Sequence, residues 1–427
     1  MNVLIKQGHV IDPKNNIDAV NDIYIAKGKV IAIGKKPKDF SIDQTIDASN
    51  QIVMPGIVDI CVRLREPGLE YKGTIATETA AAAAGGITTV CVPPDTEPCI
   101  DTSAVAELIY QRAAAAAKCH VVTQAALTLG LKGEHLSEMA ILKAEANCVG
   151  VSNGMHSLKN ILVMRRAMEY AASCNMTIYL HAEDKGLSNN GCAHEGAIST
   201  RLGLPAIPES AETAAVSRDL MLIEQTGVRA HFSHISSANA LQMIAQAKQQ
   251  GLPVSVDTSI HHLHLTDMDI GFFDTNCHVI PPLRSLRDKD GLRQGLMQNH
   301  IDVLCSDHQP HCADAKLAPF SDTEPGISGL ETLLALSLRL VNDKIIDMNT
   351  MVEKLTSEPA RILGIDSGSL SIDSAADICI FNPATNWTVK AENFNSAGHN
   401  TPFADWELQG KVSYTLLDGR IVYQDPS

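Results

Sequence analysis

No stretch of this 427-residue chain approaches the ~20 consecutive apolar residues that a membrane-crossing helix needs, so none is expected. The opening segment, MNVLIKQGHVIDP, lacks the basic-then-apolar order of a secretory signal and reads as a strand and a turn. Positive charge is scarce: 34 Lys and Arg stand against 49 Asp and Glu, a net charge of −15. That balance cannot neutralise phosphates over a continuous surface, which argues against nucleic acid and leaves small molecules or other proteins as partners. Eleven cysteines are present, an odd number, yet no two form a CxxC pair. Disulfide scaffolds are short and cysteine-dense, so these read as reduced cytoplasmic thiols that mostly serve as small core residues. Internal repeats and low-complexity tracts are missing too, apart from alanine-rich helical stretches.

What the chain does have is 45% apolar and 19% charged residues, enough for a large core. Its length exceeds one ordinary compact domain unless that domain is a barrel with an accessory piece. Residues 1–54 and 365–427 carry short apolar runs broken by Gly and Pro, such as Val3-Leu4-Ile5, Ile23-Tyr24-Ile25, Ile378-Cys379-Ile380-Phe381 and Ile421-Val422-Tyr423. These predict short antiparallel strands from both termini, pairing into one small β domain. Residues 55–364 alternate strand with helix. Thr88-Thr89-Val90-Cys91-Val92 follows a helix over 77–84, Thr177-Ile178-Tyr179-Leu180 follows one over 162–172, and Pro253-Val254-Ser255-Val256 follows one over 238–249. Near-continuous apolar strands imply burial on both faces, and the alternation predicts an α/β fold, a (β/α)₈ barrel. Polar residues where its strands end are therefore site candidates.

Those strand ends carry the segment Asp59-Ile60-Cys61-Val62-Arg63-Leu64-Arg65-Glu66-Pro67-Gly68, then Asp95, Asn153, His181, His234 and Asp307-His308. A lone histidine there is more often structural. Two histidines and an aspartate on three separate strands are a metal-capable pattern.

Several segments together resemble the dihydroorotase branch of the amidohydrolase superfamily, nearly end to end. They are Leu64-Arg65-Glu66-Pro67-Gly68, the run from Ala82 to Val90, His181-Ala182-Glu183-Asp184, His234-Ile235-Ser236-Ser237, Pro281-Pro282-Leu283-Arg284, the run from Asp302 to His311, Gly329-Leu330-Glu331-Thr332, and Asn400-Thr401-Pro402-Phe403. The resemblance implies an amidohydrolase-type barrel with a small β-sandwich from both termini. It also shows where the chain departs from the family. An active member reads HxH where this one reads Cys61-Val62-Arg63, an aspartate where it has Asn153, and an asparagine where it has Asp95. The family's NPPLR becomes Ile280-Pro281-Pro282-Leu283-Arg284. Residues two apart in a strand face the same side, so HxH aims two imidazoles at one ion. Cys61 could replace one as a thiolate, but a guanidinium has no lone pair to offer. A +1 charge 4 Å from a dication costs about 8 kcal/mol at an effective dielectric near 20. Lys159 does not have the spacing of the carbamylated lysine of related hydrolases.

The resemblance thus implies a degenerate metal site at Cys61, Arg63, Asn153, His181, His234 and Asp307, with Asp307 in the acid/base position. Arg65 and His311 are left as anion-binding remnants, Asp95 faces an incoming carboxylate and repels it, and Ile280 replaces a second substrate-binding amide. Arg63 is expected to pair with Asp307 or another acid in the barrel mouth. The chain looks like the inactive dihydroorotase-like chains associated with aspartate transcarbamoylase. That implies a non-catalytic structural subunit for the transcarbamoylase catalytic chain, oligomeric, serving pyrimidine biosynthesis without a cofactor. The alternative is a working zinc-dependent cyclic amidohydrolase with Cys61, His181, His234 and Asp307 as ligands, acting on dihydroorotate or on a hydantoin- or dihydropyrimidine-type ring. A sensor that binds a small anion at Arg65 without turnover is a third reading.

Overall fold

The computed structural model describes residues 2–158 and 160–426, so Lys159 lies outside the described residues. The N-terminal segment contributes β1 (Asn2–Asp12), β2 (Ile17–Ala26), β3 (Lys29–Ile33), β4 (Gln44–Asp47) and β5 (Ile52–Pro55). The barrel follows as β6 (Ile57–Asp59), β7 (Ile87–Val92), β8 (His120–Ala126), β9 (Gly150–Ser152) and β10 (Thr177–His181). A two-strand excursion, β11 (Ala193–His194) and β12 (Ala206–Ile207), precedes β13 (Ala230–Ser233), β14 (Val254–Ser259) and β15 (Val303–Cys305). The chain closes with β16 (Ile378–Thr388), β17 (Glu407–Leu417) and β18 (Arg420–Gln424).

Strands β6 to β10 and β13 to β15 form one eight-stranded parallel sheet. Its ends meet where Val62 bridges His308 in parallel and the Arg63 amide donates to the His308 carbonyl at 3.0 Å. Every residue of β7 is buried, as its unbroken apolar run requires of a strand covered on both faces. Helices pack outside the strands. Ile75–Ala84 starts at Thr74, whose hydroxyl accepts from the Thr77 amide at 3.1 Å while the Thr77 hydroxyl accepts from the Thr74 amide at 3.0 Å. This reciprocal pair satisfies donors that the first helical turn leaves open. The helix ends at Gly85-Gly86. Gly86 has φ +80°, and a Cβ there would lie 2.5 Å from the Cys379 sulfur, so the close approach of barrel and terminal sheet needs glycine.

The second sheet joins both termini in the order β18-β17-β16-β5-β1-β2-β3, with β4 also on β1. It differs from the antiparallel expectation, because β4 and β5 both run parallel to β1. A register shift between Ile5 and Gly8 divides β1, which pairs with β4 before the shift and with β5 after it. Alternation of apolar and polar residues marks a strand but not its direction, which explains the difference. The sheet wraps its own apolar core, including Ile5, Val10, Ile23, Val53, Ile378 and Leu416.

Candidate functional site

Past its regular end, the first barrel strand stays tied on both sides: the Val62 amide donates to the Cys91 carbonyl at 2.9 Å and Arg63 to His308. The two-residue repeat therefore points Cys61 and Arg63 the same way, into the barrel mouth. The Pro93–Pro98 loop is held beside them by Gly68. This residue has φ +98°, and a Cβ there would lie 2.0 Å from the Glu97 carbonyl oxygen, while the Glu97 amide donates to Pro67 at 3.1 Å.

That packing places Asp95 against Arg63. The guanidinium Nε donates to Asp95 Oδ2 at 2.8 Å and Nη1 to Asp307 Oδ1 at 3.3 Å, with Cys61 Sγ 3.9 Å from Nη1. The expected ion pair with Asp307 is present, and Asp95 supplies a second one. This corrects the reading of Asp95 as a group facing an incoming carboxylate: its charge is spent on Arg63. Burial alone would lower the Arg63 pKa, but Asp95, Cys61 and Asp307 together push it above its usual value. Burial would raise that of Asp95, and Arg63 instead holds it below the usual range.

His234 lies 3.6 Å from Asp307 through Nε2 and 3.1 Å from Asp257 through Nδ1. Burial opposes its protonation, but Asp307 and Asp257 outweigh it and raise its pKa well above the usual value. Asp257 also accepts from the His234 amide at 2.6 Å and sits 2.8 Å from His231 Nε2. Sequence reasoning missed Asp257, whose signal was that it is the lone charge of β14. Gln309, also missed, donates to Asp307 at 3.0 Å.

Among the described residues, no hydrogen bond joins the other predicted positions to this cluster. Asn153 is used up by its own loop: its Oδ1 accepts from Thr128 at 2.7 Å, and its Nδ2 donates to the carbonyls of His156 at 2.8 Å and Leu131 at 3.2 Å. Neither ring nitrogen of His181 has a hydrogen bond among the described residues, though Nε2 lies 3.5 Å from Glu183. Arg65 donates to the Pro310 carbonyl at 3.0 Å and lies 3.1 Å from His311 Nε2. Burial and the neighbouring Arg63 lower Arg65 to about 10, and burial with Arg65 takes His311 down to about 2. The two presumed anion binders thus hold each other. Ile280 and His181 line a cavity of about 10 Å³, and His181 and Asn153 line another of about 20 Å³. Each has room for about one water, whereas small-molecule pockets run to roughly 300 Å³ or more.

Cys61, His234 and Asp307 present donor atoms within 4.8 Å of one another, as do His234, Asp257 and Cys305 beside them. These residues do not fit a dication. The Arg63 guanidinium sets its positive charge 3.9 Å from Cys61 Sγ and 3.3 Å from Asp307 Oδ1, and burial raises the Cys61 pKa against the thiolate a metal needs. His181, the fourth ligand of the zinc alternative, is not in that group. The backbone nevertheless keeps a specialised shape: Arg65, His234 and Asp307 all have left-handed φ, at 66°, 57° and 46°. Such conformations are costly for these residues and cluster at functional sites.

A family model described as dihydro-orotase-like matches residues 50–240. A "Dihydroorotase-like protein" of Pseudomonas putida is 47% identical over 99% of both chains. The chain belongs to the dihydroorotase-like family. A second "Dihydroorotase-like protein", from Pseudomonas aeruginosa, is 44% identical over 99% of this chain and all of its own. A "Dihydroorotase" of Geobacter metallireducens is 43% identical over the same shares. Among solved structures, the L-hydantoinase (dihydropyrimidinase) of Arthrobacter aurescens superposes with a TM-score of 0.90 at 25% identity, covering all of this chain and 96% of that one. The dihydropyrimidinase of Brevibacillus agri shares the fold, at a TM-score of 0.85 and 20% identity over 99% and 95%. This dihydroorotase-like chain is thus an amidohydrolase barrel with a terminal sheet, and an arginine ion-pair cluster fills its mouth.

Proposed function

We propose that this dihydroorotase-like protein is non-catalytic and acts as a structural subunit supporting the aspartate transcarbamoylase catalytic chain in pyrimidine biosynthesis. The observation that carries the loss of catalysis is Arg63, buried where the family places a metal-binding histidine and paired with both Asp95 and Asp307. Hydrolysis in this family needs a water activated by metal, and Asp307 has no such water to deprotonate when a guanidinium occupies that space. The transcarbamoylase rests on family resemblance. Soluble cytoplasmic placement is part of the same proposal; no described helix is long and apolar enough to cross a membrane.

The proximity of Cys61, His234 and Asp307 favours one competing reading, a zinc hydrolase with a rearranged site. Metal analysis of the purified protein, a dihydroorotase and hydantoinase assay, and co-purification with the transcarbamoylase catalytic chain separate the two. The proposal expects substoichiometric zinc, no turnover and a stable complex. Stoichiometric zinc with turnover refutes it in favour of the hydrolase, and absence of any complex refutes the subunit role.

A further inference from the structure

A cavity of about 770 Å³ opens at the end of the barrel opposite the mouth, beside the starts of β10, β14 and β15. Lys143, Arg229, Lys248 and Arg361 line it against a single carboxylate, Asp302. In a chain of net charge −15, four cations around one cavity stand out from the average surface. Two of them are compensated. Lys248 reaches both oxygens of Asp302 at 2.7 and 2.8 Å, and Arg361 pairs with Glu358 at 2.7 Å.

Lys143 and Arg229 are not. Lys143 Nζ donates to the carbonyls of Cys174 at 2.7 Å and Asn175 at 3.1 Å, and Arg229 Nη2 donates to that same Asn175 oxygen at 3.1 Å. Two positive charges therefore share one carbonyl oxygen just past the C-terminus of the helix Ile161–Ser173, whose partial negative end offsets only part of their charge, with their nitrogens at most roughly 6 Å apart. Among the described residues neither has a carboxylate within ion-pair distance. Like charges held this close repel each other, and an anion bound between them relieves the repulsion. The arginine fork matches a phosphate by paired hydrogen bonds, and the lysine adds a point charge. The volume far exceeds a bare inorganic ion, and Val122, Ile362 and Ile365 offer an apolar wall for an uncharged portion.

We propose that this cavity binds a phosphate-bearing small molecule of nucleotide size, with Lys143 and Arg229 holding the phosphate. The site is remote from the barrel mouth and is independent of the proposed function. Calorimetric titration of the full chain with inorganic pyrophosphate and with adenosine monophosphate, at constant ionic strength, tests it. Saturable one-to-one binding is expected, weakened at least tenfold in Lys143→Gln/Arg229→Gln and unchanged in Arg165→Gln, on an exposed helix face elsewhere. Lys143 and Arg229 are exposed, so the double variant should fold, which its unliganded thermal midpoint checks. Leu252→Trp narrows the cavity without removing a charge and should weaken adenosine monophosphate more than pyrophosphate. No saturation with either probe, or equal affinity in the double variant, overturns the proposal. Equal sensitivity of both probes to Leu252→Trp overturns the nucleotide-size assignment.

Discussion

In the non-catalytic role proposed for this chain, Arg63 substitutes for an ion's charge without its chemistry. Only 5% exposed, it lies between Asp95, which it pairs at 2.8 Å, and Asp307, which also faces His234 at 3.6 Å. Taken alone, a buried ion pair is weak grounds for stability, since desolvation offsets much of the attraction; removing one partner is different, because it strands the other's charge. Arg63→Met strands Asp95 and leaves Asp307 to His234 and Gln309, and should cost about 3 kcal/mol in urea unfolding. Adding Asp95→Asn should recover part of that loss, because the stranded charge is gone. The residues are in contact, so the two changes should be non-additive. An Arg63→Met protein as stable as the wild type would show that the guanidinium does not balance charge in the mouth.

At the scale of elements, the strand–helix alternation was legible because strands covered on both faces write themselves as unbroken apolar runs. The helix expected over 238–249 is Ala238–Gln249, and the strand expected from Thr177 to Leu180 is β10. Strand direction in the terminal sheet was not legible, since alternation is the same for parallel and antiparallel partners. The short 3₁₀ segments beyond β14 were not legible either, because they are held by tertiary contacts. One such contact is His264, whose Nε2 lies 2.9 Å from the Leu336 carbonyl and ties the segment Ile260–Leu263 to the helix Leu333–Asn342. Burial, aided by the charge of Arg293, lowers His264 to about 3. The folded pKa lies below the unfolded one, so its share of stability is present above pH 6.5 and shrinks as pH falls toward 3. His264→Gln retains an N–H donor without titrating. Between pH 7 and pH 5 the variant should gain about 2 kcal/mol relative to the wild type, read as the difference between paired urea curves. A difference independent of pH would mean that His264 is not held neutral.

For the whole molecule, the departures at Cys61, Arg63 and Asn153 were legible in the sequence, because the motifs the chain resembles have other residues there. The compensation was not, because it depends on side chains brought together by the fold: Arg63 and Asp307 are 244 positions apart, and Asp95 reaches Arg63 only through the Gly68–Glu97 contact. This distinction determines what a repair would achieve. Cys61→His with Arg63→His restores the HxH pair and removes the blocking guanidinium. It leaves Asn153 bonded on both sides of its amide, Arg65 and His311 bound to each other, and only about 10 and 20 Å³ of space beside His181. It also leaves Asp95 without its partner, adding a negative charge where a substrate carboxylate would have to enter. The double variant should therefore gain zinc by metal analysis while showing no dihydroorotase turnover above background. Activity comparable to that of a family enzyme would mean that the rest of the mouth is still fit for catalysis, and that the two histidines alone separate this chain from a working hydrolase.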